Sequence, residues 1–358
     1  MTAVRVGLVS PYSMTIPGGV QGQVLGLAHA LRHAGHDAVV LGPCDGPPPE
    51  AGVIPLGRSI PTAANGSVAP IAPDPSCQLR TIRALRDEGF DVVHLHEPLV
   101  PGPTMTAILF RNAPLIGTFH AAGGSAAYRY LKPGTRWLAR RLDHRCAVSE
   151  AARDMAQEAL GGEYTLLFNG IEIDRYAKGP TWPTAGPTVF FVGRHEPRKG
   201  LDVLLDALGS LPADVHVWVG GDGPETARLQ ARHVGDPRIE WLGRIDDAEK
   251  AARLRGADVF CAPSLRGESF GVVLLEAMAA LTPVVASDLP GYRNVARAGA
   301  DAVLVPPGDP ARLADALRSV LADRSCAESL VTSGQQRAEE FSMETLAARY
   351  VTLYEQVR

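Results

Sequence analysis

Short apolar runs alternate with glycine-bearing loops and helix-period stretches along the whole chain. Val4–Val9 is the first run, and it ends in Ser10-Pro11-Tyr12-Ser13. The loop Pro17-Gly18-Gly19-Val20 follows, and then Val24, Leu27, Ala28 and Leu31 recur at the spacing of one helix face. Gly35 stops that helix, and Ala38–Leu41 is the next strand. Asp91–Leu95, Leu115–Phe119, Cys146–Ser149 and Thr165–Phe168 continue the series. A second series follows in Val189–Val192, Val215–Val219, Ile239–Leu242, Val259–Ala262 and Val284–Ala286. Leu201, Leu204, Leu205 and Leu208 mark a helix after its first strand. Strand, loop and helix repeated in this order predict two doubly wound α/β domains, which bind ligands outside the carboxyl ends of their strands. Pro43–Pro75 reads as irregular, and the Pro/Gly-rich Lys178–Pro187 is the linker candidate.

One stretch departs from simple amphipathicity: Gly267-Glu268-Ser269-Phe270-Gly271, then Val272–Ala280, apolar but for Glu276. A helix apolar nearly all round is buried, and a buried carboxylate is costly unless satisfied. Ser269 is a fair N-cap. The free amides of a helix start attract anions such as phosphate. Glu276 then lies about two turns on, roughly 10 Å along the axis. That is close to the reach from a nucleotide's phosphates to its ribose hydroxyls. Arg194 and Lys199 flank a proline turn after Val189–Val192, where two cations suit a diphosphate. A solvated charged loop explains Arg198 well but explains Arg194, immediately after a buried strand, poorly.

Other candidates are less specific. Gly18-Gly19 serves either a tight turn or a ligand loop. His94 and His96 share one strand face, but no further metal ligands accompany them, and Glu97 points the other way in an ideal strand. His120, at a strand's carboxyl end, is either a pocket residue or a capped loop residue. Arg129, Lys132, Arg136, Arg140, Arg141 and Arg145, with the apolar stripe Trp137, Leu138 and Leu142, suit a membrane surface or an ordinary solvated face. There is no G-x-x-x-x-G-K-[ST] loop and no G-x-S-x-G elbow, which argues against a P-loop ATPase and an α/β-hydrolase.

Composition narrows the class. The 358 residues are 46% hydrophobic with a formal charge of −4, which gives no sign of nucleic-acid affinity. Five scattered cysteines without a C-x-x-C fit reduced thiols in a cytosolic protein. No apolar run approaches the ~18 residues of a spanning helix, and the N-terminal run is too short for a signal peptide.

Gly193-Arg194, Glu196-Pro197-Arg198-Lys199-Gly200, Gly220-Gly221-Asp222-Gly223-Pro224, Pro263-Ser264, Glu268-Ser269-Phe270-Gly271 and Glu276-Ala277-Met278-Ala279 together resemble retaining GT-B glycosyltransferases of family four. Pro11-Tyr12-Ser13, Pro17-Gly18-Gly19-Val20-Gln21, Asn65-Gly66-Ser67-Val68-Ala69, His94-Leu95-His96-Glu97-Pro98 and Thr118-Phe119-His120 look like actinobacterial phosphatidylinositol mannosyltransferases. The resemblance implies a GT-B fold, with two Rossmann-like domains facing across a cleft. Residues 1–170 and 342–358 would form the acceptor-side domain, to which the last helix crosses back. Residues 171–341 would bind the nucleotide sugar.

By position, the resemblance assigns Arg194, Lys199 and the backbone of Ser269, Phe270 and Gly271 to the donor diphosphate. Glu276 falls to the ribose, Glu268 to the sugar hydroxyls, and Ile245 and Lys250 to the neighbourhood of the guanine. Gly19 lets its loop approach the phosphate, and His120 contacts the transferred sugar. Tyr12, Gln21, Asn65 and Ser67 line the acceptor side. His120, Arg194, Lys199 and Glu268 form the implied catalytic set. The implied partners are a nucleotide sugar, GDP-mannose above others, and phosphatidylinositol or a related lipid. No nucleic acid is implied. The implied location is cytoplasmic, peripheral on the inner face of the plasma membrane. The resemblance implies no metal bound by the protein, with a divalent ion at most stimulatory.

The chain also departs from that pattern. Pro70 and Ala72 stand where the lipid-specific relatives carry phosphate-gripping arginines, and Arg80, Arg83 and Arg86 are all that represents their lysine-rich helix. Leu281 replaces the glycine usual before Thr282-Pro283. Two further readings stay open: a family-four transferase with a UDP-sugar and a different lipid or soluble acceptor, and a sugar-nucleotide-binding protein without turnover or an epimerase. An epimerase gives product from donor alone.

Overall fold

The computed structural model describes residues 2–64, 67–120 and 132–358. The chain divides into two units, residues 1–170 with 343–358, and residues 171–342. The first is built on β1 (Arg5–Val9), β2 (Asp37–Gly42), β3 (Val53–Pro55), β6 (Val92–His96), β7 (Leu115–Phe119), β8 (His144–Ala147) and β9 (Thr165–Leu166). They form one parallel sheet in the order β3-β2-β1-β6-β7-β8-β9. Side chains alternate between its faces. Val6 and Leu8 pack with Leu27 and Leu31 of helix Gly19–His33 and with Tyr350 and Tyr354 of helix Met343–Val357. Val9, Leu41, Val93 and Leu95 pack with Leu85 of helix Pro75–Glu88 and Ile108 of helix Pro103–Phe110. Each fully buried leucine contributes roughly 2 kcal/mol by leaving water. Pro43–Pro75 is not irregular throughout. It holds β3 and the antiparallel pair β4 (Ile60–Ala64) and β5 (Ser67–Ile71). Pro61 and Pro70 oppose each other there, a placement open to proline because the two-stranded ribbon is all edge.

The second unit contains β10 (Thr188–Val192), β11 (His216–Gly220), β12 (Ile239–Gly243), β13 (Val259–Ala262), β14 (Val284–Ser287) and β15 (Val303–Val305), in the order β12-β11-β10-β13-β14-β15, all parallel. The order reverses at β10, the switch point where such sheets bind ligands. Val189 and Phe191 face helices Leu201–Leu208 and Pro310–Ala322. Phe190 meets Trp218 and Phe260 edge-on.

The linker assignment of Lys178–Pro187 fails. That segment straps onto helix Asp247–Gly256 within the second unit. Trp182 donates its amide to the Ala252 carbonyl at 3.0 Å, and the Arg255 guanidinium grips the carbonyls of Tyr176 (2.7 Å) and Pro180 (2.7 Å). Buried Arg253 lies between Trp182 and Trp218, 4.2 and 4.8 Å from the ring centres. Proline and glycine here shape a packed strap, and the chain passes between units at residues 170–171 and 342–343.

Helix Val272–Ala279 ends in a Schellman turn, with the Leu281 amide on the Met278 carbonyl and the Thr282 amide on that of Ala277. Leu281 holds the left-handed position, φ 61°, and is 45% exposed. A side chain there costs about 1–2 kcal/mol, partly offset by the greater unfolded-state freedom of glycine. Leu281→Gly is therefore expected to stabilise the protein by about 1 kcal/mol, read as a rise in urea midpoint with unchanged slope.

Candidate functional site

In the second unit the loops after β10 and β13 meet around Glu268. Arg194 follows β10 through Gly193, and its Nε lies 3.1 Å from Glu196 Oε1. Glu196 also holds Arg198, Nε to Oε2 at 2.8 Å. The Lys199 ammonium sits 2.7 Å from Glu268 Oε1. Ser264 donates to the same oxygen at 3.0 Å, and Arg198 Nη1 stands 3.5 Å away. Burial, with the Glu268 carboxylate nearby, holds the Tyr292 phenol well above its ordinary range, so it stays protonated 2.9 Å from Ser264 Oγ. Arg194, Lys199 and Glu268 are thus brought together, and the cations are held by carboxylates.

The adjacent helix start differs in detail from the sequence expectation. Gly271, not Ser269, is the N-cap. Its φ of 98° is one a side chain rarely adopts, and the helix proper begins at Val272. Glu276 therefore lies little more than one turn in, about 7 Å from the cap. The first amides of the helix have no intrahelical acceptor. The Phe270 ring is buried edge-on to Phe341, with ring centres 5.6 Å apart. Ser269 gives its carbonyl to Asn294 Nδ2 at 3.1 Å.

Glu276 is not left waiting for a partner. Its Oε1 accepts from Lys250 Nζ at 2.9 Å and from Tyr176 Oη at 2.8 Å. Burial alone pulls the Lys250 ammonium down, but the Glu276 carboxylate and Tyr176 outweigh it and leave it above the ordinary lysine range. Burial and Glu276 push the Tyr176 phenol up. Ile245 lies beside Gly220 at the end of β11, its Cδ1 3.2 Å from where a Cβ would stand.

In the first unit, the ends of β1, β6 and β7 bring Tyr12, His96, Glu97 and His120 together. Gly19 begins its helix facing open space, with nothing within 4 Å of an added Cβ. Gln21 is buried, and its amide stitches the loop to the helix through the carbonyls of Ser13 (3.3 Å) and Ile16 (3.1 Å). Burial and the Glu97 carboxylate raise the Tyr12 phenol. The His120 amide donates to Glu97 Oε1 at 2.8 Å, and its Nε2 lies 3.0 Å from His96 Nδ1. Asn65 lies outside the described residues; Ser67 begins β5, on the backbone.

His94 and His96 do share one face, rings stacked at 4.4 Å, and both are fully buried in this cluster. His94 is satisfied by Tyr354 Oη and Thr118 Oγ1, each at 2.8 Å. Among the described residues no group of three or more His, Cys, Asp or Glu side chains is placed to hold a metal. Burial pulls His94 down to about 3 and His120 to about 4, the Asn169 side chain opposing the latter shift. The folded cluster is neutral, whereas unfolded histidines protonate below about 6.5. The unfolded chain then binds more protons, so stability is full above pH 6.5 and is lost as pH falls toward 4. The slope approaches about 1.4 kcal/mol per unit per histidine. Urea unfolding between pH 7 and 5 is expected to show it, and His94→Gln to lessen it.

Two residues of these sites escaped sequence reasoning. Glu97 is 4% exposed, with a left-handed φ of 51°. Such strain marks sites where surroundings over-determine the backbone. A carboxylate between a strand end and Pro98 was the available signal. Tyr176 gave none, because nothing local says that a short helix meets Glu276 one hundred residues on.

A family model described as Glycosyltransferase Family 4 matches residues 17–175, and one described as Glycosyl transferases group 1 matches residues 186–323. The chain is 42% identical to a phosphatidyl-myo-inositol mannosyltransferase of Mycobacterium leprae, covering 99% of this chain and 97% of that one. Identity to the protein of that name from Mycolicibacterium smegmatis is 39%, covering 99% and 94%. A glycogen synthase of Mycobacterium tuberculosis is 31% identical, covering 98% and 94%. Among solved structures, Anabaena HepE in complex with UDP and glucose matches with a TM-score of 0.74 at 20% identity, covering 99% of this chain and 100% of that one. WaaG, a glycosyltransferase of lipopolysaccharide biosynthesis, matches at 0.68 and 18%, covering 98% and 99%. These structural likenesses bear on the fold, which is GT-B; the sequence relatives decide the family. The chain is a glycosyltransferase of family four and belongs to the family of the phosphatidyl-myo-inositol mannosyltransferases.

Proposed function

We propose that this enzyme transfers mannose from GDP-mannose to phosphatidylinositol or a closely related lipid, with retained configuration. The observation that carries this reading is the 42% identity, over nearly the whole of both chains, to a protein named for that reaction. The site chemistry supports it. Arg194 and Lys199 would neutralise the donor diphosphate, with the amides at Gly271 and Val272 completing the cradle. Lys199 would exchange Glu268 for phosphate, freeing that carboxylate for sugar hydroxyls. Glu276 would take the ribose, with Ile245 and Lys250 near the base. As the sugar leaves with oxocarbenium character, preorganised cations stabilise the growing charge on the diphosphate. The leaving phosphate would take the acceptor's proton on the same face. Gly19 and His120 would meet the phosphate and the sugar, and Tyr12, Gln21, Asn65 and Ser67 the acceptor.

Membrane contact is part of the proposal. No helix among the described residues is long and apolar enough to cross a membrane. Leu109, Phe110 and Trp137 are exposed, however, and Arg141 lies over the Trp137 ring at 5.1 Å. Exposed Arg136 and Arg140 flank them. An aromatic ring with basic neighbours suits the headgroup region of an anionic surface. The row Arg80, Arg83, Arg86 is weaker: Asp87 pairs with the last two, and Arg80 donates to the Leu56 carbonyl.

A second reading rests on Pro70 and Ala72. Ala72 is 1% exposed and the Pro70 carbonyl is taken by the Ser13 amide, so neither position grips a phosphate. A different acceptor, with a UDP-sugar as for the HepE complex, is the alternative. Thermal stabilisation by a panel of GDP- and UDP-sugars separates the two. Ligand at a hundredfold excess over its dissociation constant adds about 2.7 kcal/mol. Selective stabilisation by GDP-mannose supports the first reading, and selective stabilisation by a UDP-sugar overturns it.

A further inference from the structure

Three elements of the second unit converge on one carboxylate. Helix Ile173–Ala177 brings Tyr176, helix Asp247–Gly256 brings Lys250, and helix Val272–Ala279 brings Glu276. Both donors take the same oxygen, Oε1. Oε2 accepts no hydrogen bond among the described residues and remains open to solvent. An ionised carboxylate has about four lone-pair sites. With Oε1 taken twice, two sites are left, both on Oε2. A pair of vicinal hydroxyls fits that remainder.

The donors are themselves fixed. Lys250 is 17% exposed, is also paired with Asp247 at 3.5 Å, and stands 5.5 Å from the Tyr176 ring centre. Tyr176 is 4% exposed, and its carbonyl is tied to Arg255. The strap over Trp182 and Arg253 holds that helix in turn. Neither donor can follow Glu276 if its side chain turns, so they define one orientation of the carboxylate.

We infer that Tyr176 is a positioning residue for the donor's ribose, holding Glu276 Oε1 beside Lys250 so that Oε2 is presented to the vicinal 2′- and 3′-hydroxyls. The inference rests on the reading of Glu276 as the ribose carboxylate. Removing the hydroxyl lets the carboxylate rotate while leaving the ring, the core and the lysine in place. Its effect falls only on ligands that carry the diol.

The test is Tyr176→Phe in the full chain, titrated with GDP and with 2′,3′-dideoxy-GDP by calorimetry. The wild type is expected to bind GDP at least tenfold more tightly than the dideoxy compound. Tyr176→Phe is expected to weaken GDP about five- to tenfold and to leave the dideoxy compound within twofold, with kcat at saturating donor also within twofold. Equal weakening of both ligands would show a general structural role and overturn the inference, as would no weakening of either. A wild type that binds both ligands equally overturns the Glu276 reading itself, and the inference with it. Unfolding of the variant in the absence of ligand separates these outcomes from loss of fold, and Tyr176→Leu, which removes the ring as well, is expected to weaken both ligands.

Discussion

Lys199→Ala is expected to lower kcat/KM for sugar transfer by about 10³-fold, the scale on which a single preorganised electrostatic contact acts at a reacting centre. The loss arises because charge builds on the departing diphosphate and Lys199 is the more buried of the two cations assigned to it. Its side chain is 21% exposed, so its charge is less screened than that of Arg194, whose side chain is 55% exposed. The fold is expected to survive. Glu268, the partner of Lys199, keeps Ser264 at 3.0 Å and Arg198 at 3.5 Å after the substitution. A steady-state assay with circular dichroism alongside reads both parts. Activity within threefold of wild type would remove Lys199 from the diphosphate role.

Glu276→Ala is expected to act on stability and binding together. Its side chain and that of Lys250 are 13% and 17% exposed. Breaking a pair so enclosed leaves an uncompensated charge and costs about 3 kcal/mol. Asp247, at 3.5 Å from Lys250, softens the loss without replacing it. For a domain of this size a loss of that scale lowers Tm by roughly 6–12 °C. The stabilisation that GDP gives the wild type should also shrink, because the ribose loses its acceptor while the diphosphate keeps its cations. Glu276→Gln keeps the shape and should cost less in Tm. Differential scanning with and without GDP reads all three quantities. A Tm within 2 °C of wild type for Glu276→Ala would show that the pair contributes little.

Much of the fold was legible because the strands are short, apolar and punctuated. Leu115–Phe119 and Val259–Ala262 stand in the structure as read from the sequence. Reading failed where local chemistry is ambiguous. Proline and glycine mark both linkers and packed straps, so residues 178–187 were misassigned; what decides between them is the distant Trp182, Arg253 and Trp218 stack. The β4–β5 pair hides in a proline-rich segment because an edge ribbon tolerates proline. Ser269 has the chemistry of an N-cap, yet Gly271 holds the cap because the backbone there turns left-handed.

The candidate site divides in the same way. Arg194, Lys199 and Glu268 could be grouped from motif order alone. Their pairing in the ligand-free protein could not, since it depends on two loops sixty-nine residues apart. Glu276 was recognisable as a carboxylate in an apolar helix. That Lys250 and Tyr176 satisfy it is a tertiary fact. Leu281, the departure from the usual glycine, turns out to keep the conformation glycine would have taken, φ 61°. The acceptor side is where the chain's own residues part most from the lipid-specific pattern, at Pro70 and Ala72.

The most direct measurement is transfer itself: the purified chain incubated with radiolabelled GDP-mannose and vesicles containing phosphatidylinositol. One α-linked mannose per lipid headgroup is expected, dependent on both components and lost in Lys199→Ala. Label that stays in water-soluble form with phosphatidylinositol present, while a UDP-sugar is consumed with another acceptor, would contradict it.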